Sequence, residues 1–138
     1  MKITWRDKMV KIYYSLTNAS SRKALQWLKK HKLDYEGINW GSSTKMSQGE
    51  FFEILSLTEK GTEEVLSQKS LAYSDLEPFM NDLTLVELLG WVNSNKSLLK
   101  LPLVVDDSHL QIGYNEENIR QFIPKSRRKI KTNEKDNF

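Results

Sequence analysis

The sequence predicts one mixed α/β domain, and three observations favour that fold class. Two short apolar segments near the start, residues 10–14 and 33–40, have the length and composition of β-strands. Two more follow near the end, at 101–106 and 109–113. Between the pairs, helix-capping signals succeed one another over residues 47–96. This order predicts a mixed four-stranded sheet with a helical insertion between a β-α-β half and a β-β-α half.

The first half begins with a strand, a polar loop and a helix. The strand is the run 10–14, and residues 15–21 form the loop. A helix is predicted over 20–32, because Leu25, Trp27 and Leu28 supply an apolar side and a basic end follows. The second strand, 33–40, then closes a βαβ unit, which is normally parallel and right-handed.

The helical insertion opens with a capping box at residues 47–50, Ser-Gln-Gly-Glu. In such a box the serine and glutamate side chains satisfy free backbone N–H groups reciprocally. We expect this helix to end at Gly61 in a left-handed cap. Shorter helical turns are expected over 62–67 and 70–73 and around Pro78.

The second half starts from another capping box, at Thr84 and Glu87, and its helix is expected to reach about Asn95. The strands 101–106 and 109–113 then form a hairpin. A final helix is predicted to begin at Asn115 and reach Phe122, because asparagine is a favoured N-cap.

Charge is unevenly distributed along the chain. The total is 21 Lys+Arg against 18 Asp+Glu, a net charge of +3. Residues 125–138 alone carry +4, which leaves −1 for residues 1–124. Residues 50–87 contain nine acidic and two basic side chains. Such an acidic segment favours a basic protein surface over direct contact with DNA, although it also fits a solvated helical face.

Several function classes find no support in the sequence. No apolar run approaches the ~20 residues of a membrane helix, and no secretory signal is present, so we expect a cytoplasmic protein without membrane contact. The chain has no cysteine. His31 and His109 lie outside any metal-ligand spacing, so we expect structural roles for both and neither metal nor cofactor. Serines 20 and 21 suit helix capping better than nucleophilic catalysis, which would require a nearby base.

We expect three regions along the chain. Residues 1–9 are an N-terminal extension, with Met9 as a candidate native start, and 10–124 form the domain. Residues 125–138 are a basic tail that is either a solubilising end or a DNA-phosphate contact. The candidate DNA contacts are Lys125, Arg127, Arg128 and Lys129.

Four segments taken in order resemble a known family. They are residues 20–28, 57–64, 98–106 and 110–124, and the run Gly-Tyr-Asn-Glu within the last is the most specific. Together they resemble the Spx branch of the arsenate-reductase-like (ArsC/Spx) family over residues 10–128. The resemblance implies a thioredoxin-like sheet.

The resemblance also implies a function. Such proteins are transcription regulators of Gram-positive bacteria that bind the C-terminal domain of the RNA polymerase α subunit at stress promoters. In the family, the glycine that matches Gly61 is central to that contact. Promoter DNA is then met only within the polymerase complex, and the ClpXP protease or its adaptor is a further partner. The implied contact residues are Thr58, Glu59, Gly61, Thr62, Glu63, Glu64 and Lys69.

Two departures from the family pattern matter. Redox-switched members carry cysteines at the positions of Asn18 and Ser21, so no disulfide switch can operate here. Leu101 stands where the family commonly has an arginine before the proline, and Pro102 is expected to be cis. We therefore expect a binding protein and not an enzyme. The alternatives are a degenerate paralogue that competes with redox-active members for polymerase or a proteolytic adaptor, and a thiol-free enzyme of the same fold.

Overall fold

A four-stranded mixed sheet lies at the centre of this computed structural model, which describes residues 9–124. The strand order is β2-β1-β3-β4, with β1 parallel to β2, antiparallel to β3, and β3 antiparallel to β4. The strands are β1 Val10–Tyr14, β2 Tyr35–Asn39, β3 Leu103–Val105 and β4 Leu110–Ile112. The predicted mixed sheet is confirmed, with shorter second, third and fourth strands than the apolar runs indicated.

One face of the sheet is covered by helix α1, Ala19–Lys30. Its buried Ala24, Trp27 and Leu28 pack against the β1 side chains Val10 and Ile12. The helix begins one residue before the predicted start and ends two residues earlier than predicted. His31 forms the C-cap, and Lys32 then turns the chain with a positive φ of 52°.

The helical insertion covers the other face, where Tyr13, Leu103 and Val105 belong to the larger core cluster. Both predicted capping boxes are present, at Ser47 with Glu50 and at Thr84 with Glu87. The helices are α2 Gln48–Ser56, α3 Thr62–Val65, α4 Leu71–Leu76 and α5 Leu85–Ser94, with 3-10 turns Glu77–Asp82 and Lys96–Leu98.

The predicted end of α2 at Gly61 is wrong. The helix ends at Ser56, and Leu57 is its C-cap. The Thr58 hydroxyl then donates to Leu55 O at 2.6 Å and accepts from Gly61 N at 3.0 Å. This turn separates α2 from α3, so Gly61 becomes the N-cap of α3, with φ +77° and ψ −138°.

The predicted final helix is also shorter, a 3-10 turn over Asn118–Phe122. The Asn115 side chain accepts from Glu117 N at 3.0 Å and Asn118 N at 2.8 Å, so it fixes the chain just before this turn, whose N-cap is Glu117. The Leu101–Pro102 peptide bond is cis, as predicted. Within residues 9–124, no helix is long and apolar enough to cross a membrane. The segments 1–8 and 125–138, and with them the predicted DNA contacts, lie outside the described residues.

Candidate functional site

The corner between β1 and α1 is held by polar side chains. Asn18 is the N-cap of α1, and its Oδ1 accepts a hydrogen bond from Ser21 N at 2.7 Å. Ser21 is fully buried, and its Oγ accepts from Ser15 N at 3.2 Å. Arg22 Nη1 donates to Leu16 O at 2.7 Å. Asn18 and Ser21 thus tie the loop to the first turn of the helix.

The same arrangement disfavours Ser21 as a nucleophile. Its oxygen is buried and engaged with a backbone N–H, and a serine nucleophile requires a base within hydrogen-bonding distance. His31 lies at the opposite end of α1, about 15 Å away at the helical rise per residue. Its ring stacks on Trp27 with centroids 4.1 Å apart. The corner therefore has the chemistry of a helix cap.

A groove of about 970 Å³ opens in front of this corner. It brings Asn18 together with Lys69 and Glu64, which belong to the segment that follows α2. Lys96 and Lys100 also line it, and sequence reasoning missed both because nothing in the chain order relates them to Asn18. Leu101, which precedes the cis proline, also lines the groove.

Lys96 is anchored within this groove. Its Nζ donates to Thr44 O and lies 4.2 Å from the centroid of the Trp40 ring. Partial burial, followed by the charge of Lys45, lowers the pKa of Lys96. Since the ammonium is already engaged with a carbonyl and an aromatic face, we assign Lys96 a structural role.

The turn around Gly61 forms a notch on the surface. A Cβ placed on Gly61 would meet no heavy atom within 4 Å, and its positive φ is a conformation that side-chain-bearing residues rarely adopt. Gly61 O accepts from Glu64 N at 3.1 Å, and the Glu64 carboxylate accepts from Lys60 N. The backbone here is therefore both accessible and fixed by local hydrogen bonds.

The acidic side chains around the notch differ in their availability. Glu64 is half-buried and its carboxylate accepts from Lys60 N just before α3, whereas Glu59 and Glu63 are exposed. Among residues 9–124, neither exposed carboxylate has a hydrogen bond or an ion pair. Thr58 is committed to the turn and Thr62 is the first residue of α3. The predicted contact residues from Thr58 to Glu64 therefore follow one another around this turn, with Glu59 and Glu63 as exposed, unpaired carboxylates. Lys69, the remaining predicted contact, lines the groove that also contains Asn18 and Glu64.

A partly buried polar pair that sequence reasoning did not find connects β1 to α2. The hydroxyl of Tyr13 donates to Glu50 Oε2 at 2.5 Å, while Glu50 Oε1 accepts from Ser47 N. Burial, the hydrogen bond and the charge of Glu50 raise the pKa of Tyr13. Burial alone would raise the pKa of Glu50, but the hydrogen bonds from Tyr13 and Ser47 outweigh it and lower that pKa.

His109 has a local role. Its Nδ1 lies 3.0 Å from Asp106 Oδ1 across the β3–β4 turn, and Asp106 Oδ1 also accepts from Ser108 N and His109 N. The carboxylate therefore closes the turn. The described residues contain no group of three or more His, Asp or Glu side chains placed to hold a metal ion.

Comparison with known proteins identifies the family. The ArsC family model matches residues 13–122, which include the sheet, the corner and the Gly61 turn. The chain belongs to the ArsC family. It is an Spx-like member that contains no cysteine and therefore lacks a Cys-x-x-Cys pair.

Two curated relatives and one solved structure illustrate the similarity. The global transcriptional regulator Spx of Lactiplantibacillus plantarum is 41% identical, over 90% of this chain and 91% of the relative. The protein of the same name from Streptococcus mutans is 37% identical, over 88% of each chain. Arsenate reductase from Vibrio cholerae superposes with a TM-score of 0.62 at 20% identity, over 84% of this chain and 96% of that chain. That last likeness concerns the fold.

Proposed function

We propose that this protein is a cytoplasmic transcription regulator that binds the C-terminal domain of the RNA polymerase α subunit. The contact surface, which we name the Gly61 edge, comprises Thr58, Glu59, Gly61, Thr62, Glu63 and Glu64, with Lys69 beside it. Relatives at 37–41% identity over most of the chain are named global transcriptional regulators, which supports regulation of transcription as the role.

The observation that supports this surface most strongly is the geometry of Gly61. The residue has a positive φ and open space where a side chain would lie. A partner backbone can therefore approach the turn closely, and Glu59 and Glu63 flank the approach with unpaired negative charge. Charge of this kind at the rim of an interface favours a basic partner surface and raises the association rate.

We further propose that the protein acts without a redox switch. A disulfide switch requires two thiols, and the chain contains none. The hydrogen bonds from Ser21 N to Asn18 and from Ser15 N to Ser21 hold the corner in one arrangement in place of the disulfide. The protein would then respond to stress through its abundance, with the ClpXP protease or its adaptor as a candidate partner.

The same corner supports a non-enzymatic role. An arsenate reductase requires a thiolate nucleophile, and the oxygen at Ser21 is buried and engaged. Residues 50–87 carry nine acidic side chains against two basic ones, which disfavours independent DNA binding. We therefore propose that promoter DNA is contacted only within the polymerase complex.

Calorimetric titration of the full chain with the purified α C-terminal domain tests the proposal. We expect saturable binding that Glu63→Lys weakens about tenfold or more, since it reverses an exposed charge on the Gly61 edge. Glu77→Lys makes the same charge change on an exposed residue of the 3-10 turn Glu77–Asp82 and should leave affinity unchanged. Absence of binding at ~100 μM would contradict the proposal.

A second candidate is a degenerate paralogue that occupies polymerase and blocks redox-active members. The fixed corner favours it, because a protein locked in one state can bind without activating. Transcription in vitro separates the two candidates. A regulator stimulates or represses a stress promoter by itself, whereas a competitor changes transcription only when an active paralogue is present.

A further inference from the structure

The strand β4 is an edge of the sheet, and its outer side is open. It pairs with β3 alone. The flanking bonds are Asp106 N to His109 O at 3.0 Å and Gly113 N to Pro102 O at 2.8 Å. They show that His109 and Gly113 direct their backbone groups towards the β3 side.

Antiparallel strands alternate between residues that face the partner strand and residues that face away. Since His109 and Gly113 face β3, Gln111 does so as well, and the N–H and C=O groups of Leu110 and Ile112 face outward. Within residues 9–124, no hydrogen bond engages these four groups. A free edge of this kind is a template for the addition of another strand.

A groove of about 870 Å³ is lined by all three residues of β4. Other parts of its lining come from the turn after α2, from α3 and from the C-terminal turn: Leu57, Glu59, Glu64, Glu117, Arg120 and Ile123. The free edge thus lies in a concave surface with apolar and charged walls.

Gln111 provides an independent indication that something binds there. Its side chain is 94% buried and lines the groove. Its Nε2 donates to Asn115 O at 3.3 Å, but its Oε1 has no hydrogen-bond partner among the described residues. Buried acceptors are nearly always satisfied, so an unpaired one points to a donor from another molecule.

The charge of the groove indicates the chemistry of the occupant. Three glutamates line it, Glu59, Glu64 and Glu117, and the basic side chains of the lining are Arg120 and His31. Desolvated or partly desolvated acids at an interface require basic partners, because like charges placed opposite them are strongly unfavourable. The occupant should therefore carry lysine or arginine.

We propose that β4 and its groove bind an extended, basic segment of a partner protein, which adds to the sheet as a fifth strand beside β4. The backbone of the segment pairs with Leu110 and Ile112, its basic side chains meet the three glutamates, and a donor reaches Gln111 Oε1. This mode is β-strand addition, in which main-chain bonds give affinity and side chains give specificity. The inference goes beyond polymerase binding, although Glu59 and Glu64 border both surfaces.

The test uses the full-length, isotope-labelled chain and a synthetic hexapeptide of alternating arginine and valine. In an NMR titration, we expect saturable chemical-shift changes at the Leu110 and Ile112 amides, together with protection of these amides from hydrogen exchange. Two N-methylated peptides are compared, one methylated at the odd amides and one at the even amides. Only one of these two sets pairs with β4, so methylation of that set should weaken binding about tenfold or more, because it removes the pairing donors. Glu117→Lys should also weaken binding, whereas Glu77→Lys should not.

Three results would overturn the proposal. The first is no binding at ~1 mM, the weak limit of specific affinity. The second is that the two N-methylated peptides bind with equal affinity, or that a hexapeptide of alternating glutamate and valine binds as tightly as the arginine–valine hexapeptide. The third is that the Leu110 and Ile112 amides are already protected from hydrogen exchange without peptide. This protection would also have to disappear when four basic residues of the tail are changed to serine: Lys125, Arg127, Arg128 and Lys129. The occupant would then be the basic tail. Because this test contains no α C-terminal domain, its failure does not bear on polymerase binding.

Discussion

Asn18 and Ser21 fix the corner between β1 and α1 by hydrogen bonding. A cysteine pair at these positions would exchange between two redox states, whereas an asparagine N-cap and a buried serine form one set of bonds. The amide oxygen satisfies Ser21 N, and the hydroxyl satisfies Ser15 N. The two residues thus hold the loop against the first turn of α1 without a thiol.

Asn18→Ala should destabilise the fold by about 1 kcal/mol, because it removes the N-cap acceptor of α1. The measurement is the free energy of unfolding by urea. Ser20→Ala, one position from the buried serine, is the matched control and should change stability by less. If both variants unfold at the same midpoint as the unchanged chain, the cap does not hold the corner.

Tyr13 and Glu50 give stability a pH dependence. Because the folded-state pKa of Glu50 is lowered, its contribution is present above the ordinary value of 4.5 and is lost as pH falls through the folded value. The folded-state pKa of Tyr13 is raised, so its contribution is present below pH 10.0 and is lost at more alkaline pH. The pair therefore stabilises the fold best between these limits.

Tyr13→Phe removes the donor and should cost about 1–3 kcal/mol at pH 7. The cost should shrink as the pH is lowered below 4.5, since protonation of Glu50 removes the charge-assisted bond in the unchanged chain as well. Unfolding midpoints at a series of pH values measure this. Tyr73→Phe, on α4, provides a control tyrosine, and a Tyr13→Phe cost that stays constant with pH would contradict the assignment.

At the scale of elements, the turn between α2 and α3 determines the shape of the proposed contact. Thr58 ends the α2 region with two side-chain hydrogen bonds, and Gly61 then opens α3. The notch arises because a positive φ is required where the two short helices meet. Gly61 thus provides both the positive φ of the turn and the accessibility of its backbone.

Two substitutions at Gly61 separate folding from docking. Gly61→Ala and Gly61→Arg should both cost about 1–3 kcal/mol of stability, because each adds a Cβ at positive φ. Only Gly61→Arg should abolish binding to the α C-terminal domain, since its long side chain fills the open space beside the turn. Thermal unfolding and calorimetry measure the two effects. An equal loss of binding in both variants would attribute the effect to backbone strain alone.

At the scale of the whole molecule, the sequence pattern predicted the sheet and both capping boxes, whereas the cis proline was expected from the family resemblance. These features depend on local patterns, such as the spacing of Ser47 and Glu50. The end of α2 could not be predicted, because the sequence Thr58–Gly61 fits two structures. It can end a helix with a glycine C-cap, or it can form the Thr58 turn that follows the earlier end of the helix at Ser56. The Tyr13–Glu50 bond, between residues 37 positions apart, and the shared groove of Asn18 and Lys69 depend on tertiary packing.

Charge is also organised across the whole molecule. The net charge of +3 comes from residues 125–138, whereas residues 1–124 carry −1. The exposed acids of the Gly61 edge therefore belong to a nearly neutral body with an acidic segment. This distribution fits a protein that meets a basic protein surface first and DNA only alongside that partner.

Site-specific photo-crosslinking tests the central claim most directly. A photoreactive residue at position 63 of the full chain, mixed with intact RNA polymerase and irradiated, should form a crosslink to the α subunit within its C-terminal domain. The same residue at position 77 should give little or no product. Crosslinking from position 63 to another subunit alone, or equal yields from both positions, would contradict the account.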